Sequence, residues 1–397
     1  MILSDVCEFI VDCPHSTAPD EGKGYPLIRT PNVGKGRLDL NGVHRVSESV
    51  YKQRIQRGAP RANDLIFARE APAGNVALVQ ENQTVCLGQR TVLIRPNVQK
   101  VNPQYLVYYL LSPKPQYELL GTANGATVAH VNLPAIRNLK IELPEKSVQD
   151  KIGTILVSYD DLIENNQKQI KLLEEAAQRL YKEWFVDLRF PGHENTEIVD
   201  GVPEGWQYEK LGDLVKTTSG GTPSRRKSEY YVNGNIRWIK TKELNDRFIF
   251  ETEEHITEDA VKNSSAKVLP EGALIVAMYG ATIGIIGITA AEMACNQACC
   301  AFIFFDDMIS KEYLYCWLMD NREYLVSQGK GAAQSNLSQE MIRNFSLLCP
   351  DKKVIKKFTE IVTTMLENKR VLENKILMLS KARDDLLPKL MSGEVEV

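Results

Sequence analysis

The sequence has little of what metal centres and most active sites require. Its 397 residues include five histidines, and none of its eight cysteines form a pair in C-x2-C spacing. Structural zinc sites depend on such spacing. His15, His44 and His130 lack matching cysteines or carboxylates, so we expect them in core or loop positions. We therefore expect no metal and no cofactor, and we expect the cysteines to be buried free thiols of a cytosolic protein.

Recognisable catalytic motifs are also missing. The segment Gly220–Ser228 superficially resembles a phosphate-binding P-loop, but Arg226 stands where a glycine must precede Lys227. The segment Pro19–Lys23 contains the letters of a nuclease carboxylate–lysine site, but no strand separates its carboxylates. The Asn/Asp-Pro-Pro-aromatic tetrapeptide that adenine methyltransferases share occurs nowhere. A catalytic role therefore has no residues to support it.

Membrane and secretion signals are weak. Met1–Ile10 lacks the basic and apolar regions of a signal peptide, which favours the cytoplasm. Gly272–Ala291 is uncharged and long enough to span a bilayer, but Gly280, Gly284 and Gly287 interrupt it. We interpret it as two buried strands joined by a tight turn, and we expect no membrane contact.

The feature that is present is an internal repeat. Leu65–Ala68 matches Leu274–Ala277, and Cys86–Gln89 matches Cys295–Gln297, at an offset of roughly 205 residues. A period this long is not that of a solenoid, so each copy must be a whole domain with its own helix. The sequence predicts a first domain at 1–146, a helix at 147–190, a second domain at 191–350 and a second helix at 351–397.

Each copy ends in a heptad-patterned helix. Apolar residues recur at alternating spacings of four and three from Ile152 to Trp184 and again from Ile355 to Leu390. Five heptads form a rod on the order of 50 Å long. One polar residue interrupts each seam, Asn166 in the first and Lys369 in the second, as in coiled coils that fix their register. The alternative is two surface helices, each packed on its own domain.

Two like helices with two like domains predict an antiparallel intramolecular pair. The domains themselves contain short β-branched and aromatic runs separated by Gly, Pro and Asn, followed by helical patterns. The predicted fold is therefore α+β, with two pseudo-twofold-related α/β domains joined by two long antiparallel coiled-coil helices. Twofold-symmetric proteins of this form can address two half-sites on DNA.

The net charge of −3 does not indicate nucleic acid, but local charge does. Basic residues dominate the stretch from Arg29 to Arg69, and a corresponding stretch from Arg225 to Arg247 is also rich in them. One such cluster is as well explained by solvated loop charges. Two clusters at corresponding places in a repeat favour a surface that follows phosphates.

In order along the chain, five segments of the second half resemble the target recognition domain of type I restriction-modification specificity subunits. They are Gly221–Ser224, Ile236–Ile239 with Asp246, Gly272–Gly284, Asn296–Gln297 and 331–337. Gln149–Phe185 and its partner from Val354 resemble the family's helical regions, and Leu386–Glu394 is particularly characteristic. The first domain has Asp12–Pro19 where the second has Gly-Thr-Pro-Ser, and it resembles another subtype of the same domain.

The resemblance implies a non-catalytic subunit with several partners. Members of this family read a split, asymmetric sequence in double-stranded DNA with two recognition domains, and their helices set the spacer. They hold two adenine methyltransferase subunits, to which the restriction subunits attach.

Within that framework, loop residues able to form bidentate contacts are candidates for reading bases. These are Arg29, Arg37, Arg69, Gln89 and His130 in the first domain and Arg225, Lys242, Tyr279, Gln297 and Gln334 in the second. A role in bracing the loops is an equal alternative for Gln89 and Gln297. Candidates for holding phosphates are Lys35, Arg54, Arg226 and Lys240.

We expect the methyltransferase to bind residues of the two long helices. The candidates are Lys182, Trp184, Phe185, Met378 and Lys381, of which the apolar ones are expected to be exposed. Two other classes remain open. A stand-alone DNA-binding regulator needs the basic loops but not the helices, whereas a structural scaffold needs the helices but not the loops.

Overall fold

The structure is a computed structural model that describes residues 1–121, 130–304, 308–329 and 336–397. It forms two compact units. The first consists of Met1–Glu164 and Leu377–Val397, and the second of Asn165–Ile376. Each unit therefore combines one turn-rich half of the chain with segments of both long helices. The domain boundaries given above remain a prediction.

The first half begins with short strands and ends with a long helix. Its strands are β1 (Cys7–Asp12), β2 (Tyr25–Ile28), β3 (Gly36–Arg37), β4 (Arg45–Val46), β5 (Leu65–Ala68), β6 (Val76–Leu78), β7 (Cys86–Leu87) and β8 (Thr91–Pro96). Its helices are α1 (Glu48–Arg54), α2 (Pro103–Leu111), α3 (Pro113–Gly121), α4 (Leu133–Arg137) and α5 (Lys146–Tyr181).

The second half repeats this order with additional strands. Its strands are β9 (Ile198–Val199), β10 (Val202–Pro203), β11 (Gln207–Lys210), β12 (Val215–Ser219), β13 (Ile236–Ile239), β14 (Arg247–Ile249), β15 (His255–Ile256), β16 (Val268–Leu269), β17 (Leu274–Ala277), β18 (Ile286–Thr289), β19 (Met293–Cys295), β20 (Cys299–Phe304) and β21 (Ser346–Cys349). Its helices are α6 (Leu211–Leu214), α7 (Glu258–Lys262), α8 (Lys311–Asp320), α9 (Arg322–Gly329), α10 (Gln339–Arg343) and α11 (Lys352–Ser392).

The two units share one sheet topology. The main sheet has the order β1-β8-β5-β6-β3 in the first unit and β12-β20-β17-β18-β14 in the second. In both, the last strand is parallel to its neighbour and the other pairs are antiparallel. A smaller sheet pairs β2 with β7 in the first unit and β13 with β19 in the second, both in parallel. The internal repeat is therefore a repeat of structure.

Both faces of each main sheet are buried, which explains the continuous apolar runs in its central strands. Leu65 and Phe67 of β5 face a core shared with α2 and the start of α5, whereas Ile66 packs on the opposite face. In the second unit, Leu274 and Ile275 divide between two cores in the same way. The alternation places the helices on one face of each sheet.

The long helices are antiparallel within each unit. In the first unit Asp160 of α5 forms an ion pair with Arg383 of α11, and the earlier residue Ile155 lies beside the later residue Val397. In the second unit Lys369 pairs with Glu174, while Phe358 packs against Phe185. Every predicted seam residue is buried or half-buried. The antiparallel pairing predicted from the heptads is confirmed.

The strand pair predicted in Gly272–Ala291 and the predicted buried free thiols are both present. Gly272–Ala291 contains β17 and β18, an antiparallel pair, and none of the described helices is long and apolar enough to cross a membrane. All eight cysteines are free thiols, and only Cys7 is not fully buried. Burial raises the pKa of the Cys86 thiol to about 11. Within the four described ranges, no cluster of His, Cys, Asp or Glu is arranged to hold a metal ion.

Candidate nucleic-acid interface

Three strand ends of the first main sheet meet at one edge. Because β8 is antiparallel to both β1 and β5, the ends of β1 and β5 lie beside the start of β8. The residues that follow or precede these ends form one group, which we call the first loop cluster. It comprises Asp12, His15, Arg69, Glu70, Gln89, Arg90 and His130. Three of these residues, Arg69, Gln89 and His130, were predicted to contact DNA, and the structure brings them together.

The charged members of the first loop cluster form a chain of contacts. Arg69 Nη1 donates to Asp12 Oδ2 at 2.9 Å, its Nε donates to the Val131 carbonyl at 2.9 Å, and its Nη2 lies 2.7 Å from His130 Nε2. Glu70 contacts His130 Nδ1 with one oxygen and Arg90 Nη1 with the other, the latter at 2.9 Å. His15 Nε2 lies 3.2 Å from Asp12.

This chain determines the tautomer of His130. A guanidinium can only donate, so His130 Nε2 must accept from Arg69. The other ring nitrogen, Nδ1, then donates to Glu70. Arg69 is 9% exposed, and all three of its donor groups are used inside the protein. That Arg69 reads a base remains a prediction, although each nitrogen of its guanidinium already has a partner inside the protein.

The second unit has the same pair of backbone hydrogen bonds as the first loop cluster, but with different side chains. We call this pair of bonds the backbone frame. Arg69 N–H donates to the Arg90 carbonyl and Val131 N–H to the Arg69 carbonyl, while Met278 and Leu337 donate in the same way to Ala298 and Met278. These bonds define the second loop cluster. It comprises Ser219, Thr222, Met278, Tyr279, Gln297, Ala298 and Asn336.

A glutamine occupies the same place in both clusters. Gln89 Nε2 donates to the carbonyl of His15 at 3.2 Å, and Gln297 Oε1 accepts from the hydroxyl of Thr222, which lies at the position equivalent to His15. Tyr279, at the position of Glu70, is 40% exposed and forms a β-bridge with Asn336. The bracing role considered for both glutamines is thus present, and neither glutamine is buried.

A group of basic residues lies beside the second loop cluster, and we call it the basic ledge. It comprises Arg225 and Arg226, which precede β13, and Lys240 and Lys242, which follow it. Trp238 Nε1 donates to the Gly221 carbonyl at 3.1 Å, and the Arg225 guanidinium lies 4.4 Å from the Tyr231 ring. Gly220 must remain glycine, because a Cβ there would lie 1.9 Å from the Cys295 carbonyl oxygen. The turn that carries Arg225 is therefore held closely against the sheet.

An acidic segment neutralises much of this ledge. Glu254 lies 2.6 Å from both Arg225 and Lys240, and Glu253 contacts Lys242. The hydrogen bond from Lys240 holds the pKa of Glu254 below its usual range, and Arg225 contributes to this. Arg226 is exposed. The second basic cluster is therefore more nearly charge-balanced than its sequence indicates.

The first unit contains a counterpart of Lys240. Arg29 follows β2 as Lys240 follows β13, and the backbone N–H of each donates to a side-chain oxygen three residues on, Asn32 and Glu243 respectively. Arg29 is half-buried, with its side chain against Gly88. The two predicted DNA contacts Arg29 and Lys240 are thus equivalent in structure, which the sequence repeat did not reveal.

Three other predicted contacts of the first domain are not members of the loop cluster. Arg54 is 4% exposed and donates to the carbonyls of Pro14 and Ser16, so its guanidinium is already engaged inside the protein. Arg37 is half-buried and donates to Asp161 of α5, which assigns it to docking the helix. Lys35 is exposed. Gln334 lies outside the described residues.

The family is identified by a domain model. The model of the type I restriction modification DNA specificity domain matches residues 1–175 and again residues 203–378. The chain belongs to this family of DNA specificity subunits. As a specificity subunit of a type I restriction-modification complex, it supplies DNA recognition and is not itself the catalyst.

Individual relatives agree with this assignment. The chain is 29% identical over 363 residues to the type I restriction enzyme MjaIX specificity subunit of Methanocaldococcus jannaschii, covering 90% of this chain and 83% of the relative. It is 25% identical to the HindI specificity subunit of Haemophilus influenzae, covering 85% and 87%. A crystal structure of the S subunit from M. genitalium shares the fold, with a TM-score of 0.60, 14% identity and coverage of 98% and 95%.

The residues of this specificity subunit that were predicted to bind a partner differ in exposure. Lys182, Met378 and Lys381 are exposed. Trp184 and Phe185 are only 7% and 6% exposed, so the expectation that they are exposed is wrong. A π-helical turn at Lys182–Val186 ends α5 and turns both rings inward, where the Phe185 ring lies 4.9 Å from that of Phe358.

Sequence reasoning also missed members of the loop clusters. Arg90 has a side chain that is 61% exposed and stands beside Gln89 at the turn between β7 and β8. Asp12 and Glu70 complete the charged chain behind it. The only available signal was the adjacency of Gln89 and Arg90, because contacts between residues about 60 positions apart leave no local pattern.

Proposed function

We propose that the two units of this specificity subunit read the two halves of a split, asymmetric DNA sequence. The observation that carries this proposal is the repeated backbone frame of the loop clusters. Each frame presents a glutamine, but the neighbouring side chains are charged in the first unit and neutral in the second. One frame with two sets of side chains is what two different half-sites require.

An exchange of the first domain tests this proposal. Replacing residues 1–144 with the first domain of another specificity subunit should change one half-site of the modified sequence and leave the other intact. Sequencing of modified adenines across the genome measures both half-sites at once. A change in both half-sites, or in neither, would contradict the two-reader proposal.

We propose further that α5 and α11 dock two adenine methyltransferase subunits, through which the restriction subunits attach. Both units expose apolar residues from both helices. In the first unit these are Leu162, Leu377 and Met378, and in the second unit Leu172, Ile361 and Val371. Exposed apolar residues on a helix that already buries its seam support a further partner. Such a complex acts on DNA, for which the cytoplasm is the expected location.

Charge reversal on the helices tests the docking. Lys381→Glu should weaken copurification of the methyltransferase several-fold and leave the recognised sequence unchanged, because Lys381 lies on α11 and not in a loop cluster. Lys182→Glu tests the other helix, although Lys182 also pairs with Asp320 at 3.1 Å. The control is Lys23→Glu, an exposed lysine of the first domain. Equal copurification of all three variants would exclude these lysines from the docking surface.

The alternative, a stand-alone regulator, makes a different prediction. A regulator would bind its DNA target without a methyltransferase. The proposed subunit should bind its target sequence specifically only when the methyltransferase is bound to it. Binding of the purified chain to its target, with and without the copurified methyltransferase, separates the two.

A further inference from the structure

Arg90 occupies an unusual position in the first loop cluster. Its backbone adopts a left-handed conformation, with φ of 64°, at the turn that joins β7 to β8. Few residues other than glycine adopt this conformation, which a surrounding structure must stabilise. Here the Arg90 carbonyl accepts a hydrogen bond from the backbone N–H of Arg69. The turn therefore directs an exposed arginine outward from a fixed backbone.

The side chain of Arg90 is held from behind. Glu70, whose side chain is 15% exposed, contacts Arg90 Nη1 at 2.9 Å with one carboxylate oxygen and His130 with the other. His130 is in turn held by Arg69, and Arg69 by Asp12. Because each member of this chain is fixed by the next, Glu70 cannot turn away without breaking several contacts. Arg90 is thus preorganised, and among the described residues no contact occupies its Nε or Nη2, which can therefore face a ligand.

The second unit lacks this arrangement on the same frame. Ala298 stands at the position of Arg90, Tyr279 at that of Glu70 and Asn336 at that of His130. Ala298 offers no side-chain donor. The difference between the two clusters is therefore concentrated where Arg90 projects.

We propose that Arg90 is a specificity-determining residue that reads a guanine in the first half-site, and that Glu70 is its positioning residue. The inference rests on the proposed function of the first unit as a DNA reader. Arginine forms two parallel hydrogen bonds with O6 and N7 of guanine, and this is the commonest specific contact to a base in the major groove. The arginine fork can also bind a phosphate, but lysine binds phosphates as a point charge, so a phosphate contact does not depend on a guanidinium held in one orientation. Glu70 and His130 hold Arg90 in one orientation, which favours a contact to a base over a contact to a phosphate.

The experiment selects DNA targets from a randomised library with the purified complex of this chain and its methyltransferase. Arg90→Ala and Arg90→Lys should both lose the preference for one guanine in the first half-site, by roughly ten- to a hundredfold, with the second half-site unchanged. Lys114→Ala is the matched control. Lys114 has a side chain that is 60% exposed, lies in the same unit outside the basic stretch, and is also paired with a glutamate, Glu142, at 3.1 Å. It should select the wild-type sequence.

Other outcomes would overturn the proposal or the proposed function on which it rests. If Arg90→Ala weakens binding to all sequences alike and Arg90→Lys restores it, Arg90 is a phosphate contact and the proposal is overturned. An unchanged selection with Arg90→Ala also overturns it. If the wild-type complex selects no split sequence, the proposed function itself fails, whatever Arg90 does.

The positioning role of Glu70 is tested in the same selection. Glu70→Gln retains the shape of the side chain but removes its charge, so it should relax the same single position by a smaller factor. In the Arg90→Ala background it should have no further effect, since the two residues act as one unit. An equal effect in both backgrounds would assign Glu70 a merely structural role.

Discussion

At the scale of single residues, Glu373 of α11 is a buried carboxyl group whose charge is only partly compensated. Its Oε2 accepts from the backbone N–H of Phe248 at 2.8 Å, whereas its Oε1 has no hydrogen-bond partner and lies 3.8 Å from Lys369 Nζ. Burial raises the pKa of Glu373 to about 7, although Lys369 opposes the shift. Lys369 itself is held as a cation by Glu174 at 2.6 Å.

Glu373 should make the stability of the second unit depend on pH. The pKa of Glu373 is higher in the folded chain than its value of 4.5 in the unfolded chain. The contribution of Glu373 to the free energy of unfolding is therefore fully present below about pH 4.5 and is lost as the pH rises through about 7. The loss is on the order of 3 kcal/mol. Glu373→Gln should therefore gain stability relative to wild type between pH 5 and 8, as measured by urea denaturation. Glu367→Gln, an exposed residue of the same helix, is the control. Parallel pH profiles for wild type and Glu373→Gln would contradict the prediction.

Single residues were also where sequence-based prediction was weakest. An arginine in a basic stretch looks the same whether it meets a phosphate or a carbonyl of its own chain. Arg54 accordingly looked like a DNA contact, but it donates to carbonyls about 40 positions earlier. The surroundings of Arg69 could not be predicted for the same reason, because Asp12 and His130, which contact it, are close only after folding.

At the scale of elements, prediction from sequence was more reliable. The heptads of α5 and α11 and the paired strands in Gly272–Ala291 were predicted because a period of 3.5 residues, or an apolar run broken by glycine, is local information. The π-helical turn at Lys182–Val186 was not, since one additional residue in a helical turn has no clear mark in the sequence. That turn reverses the predicted exposure of Trp184 and Phe185.

The acidic segment between β14 and β15 is the element that we expect to affect DNA binding most. Glu251, Glu253 and Glu254 contact Arg237, Lys240, Lys242 and Arg225. Phosphates must displace these carboxylates to reach the cations. The segment should therefore suppress sequence-independent binding more than specific binding, because base contacts add to the latter.

Removing these charges should loosen selectivity. A Glu253→Gln/Glu254→Gln variant should bind random DNA more tightly at low salt, and the slope of log affinity against log salt should steepen by about 0.9 for each phosphate gained. Fluorescence anisotropy over a salt series measures both quantities. Glu258→Gln, which removes an exposed glutamate paired with Lys262 at 3.6 Å, is the matched control. An unchanged slope in the double variant would mean that these glutamates do not compete with phosphate.

At the scale of the whole molecule, α5 and α11 each run through both units, which part at Glu164 and at Ile376. In each unit an ion pair joins the two helices, Asp160–Arg383 in the first and Glu174–Lys369 in the second. A change of length between these pairs must occur in both helices if both pairs are to persist.

A matched insertion tests whether the helices set the spacer. Four residues inserted after Asn166 and four after Ile376 add about 6 Å of helical rise. Since one base pair advances about 3.4 Å, the spacer should lengthen by one or two base pairs with both half-sites intact. Insertion after Asn166 alone should instead impair activity, because only one helix is lengthened. Genome-wide mapping of modified adenines measures the spacer. An unchanged spacer in an active protein would show that the helices do not set its length.

The first unit draws on both early and late parts of the chain, and this has a consequence for biosynthesis. Leu390, which is 3% exposed, packs in the same core as Ile152 and Leu156. At ribosomal rates of 5 to 20 residues per second, Leu377–Val397 follows Glu164 by roughly 10 to 40 s. Throughout that interval the nascent first unit displays an apolar strip that only the later segment covers. A chain whose translation stops early keeps this strip uncovered, which makes it a target for chaperones and proteases before it can engage DNA.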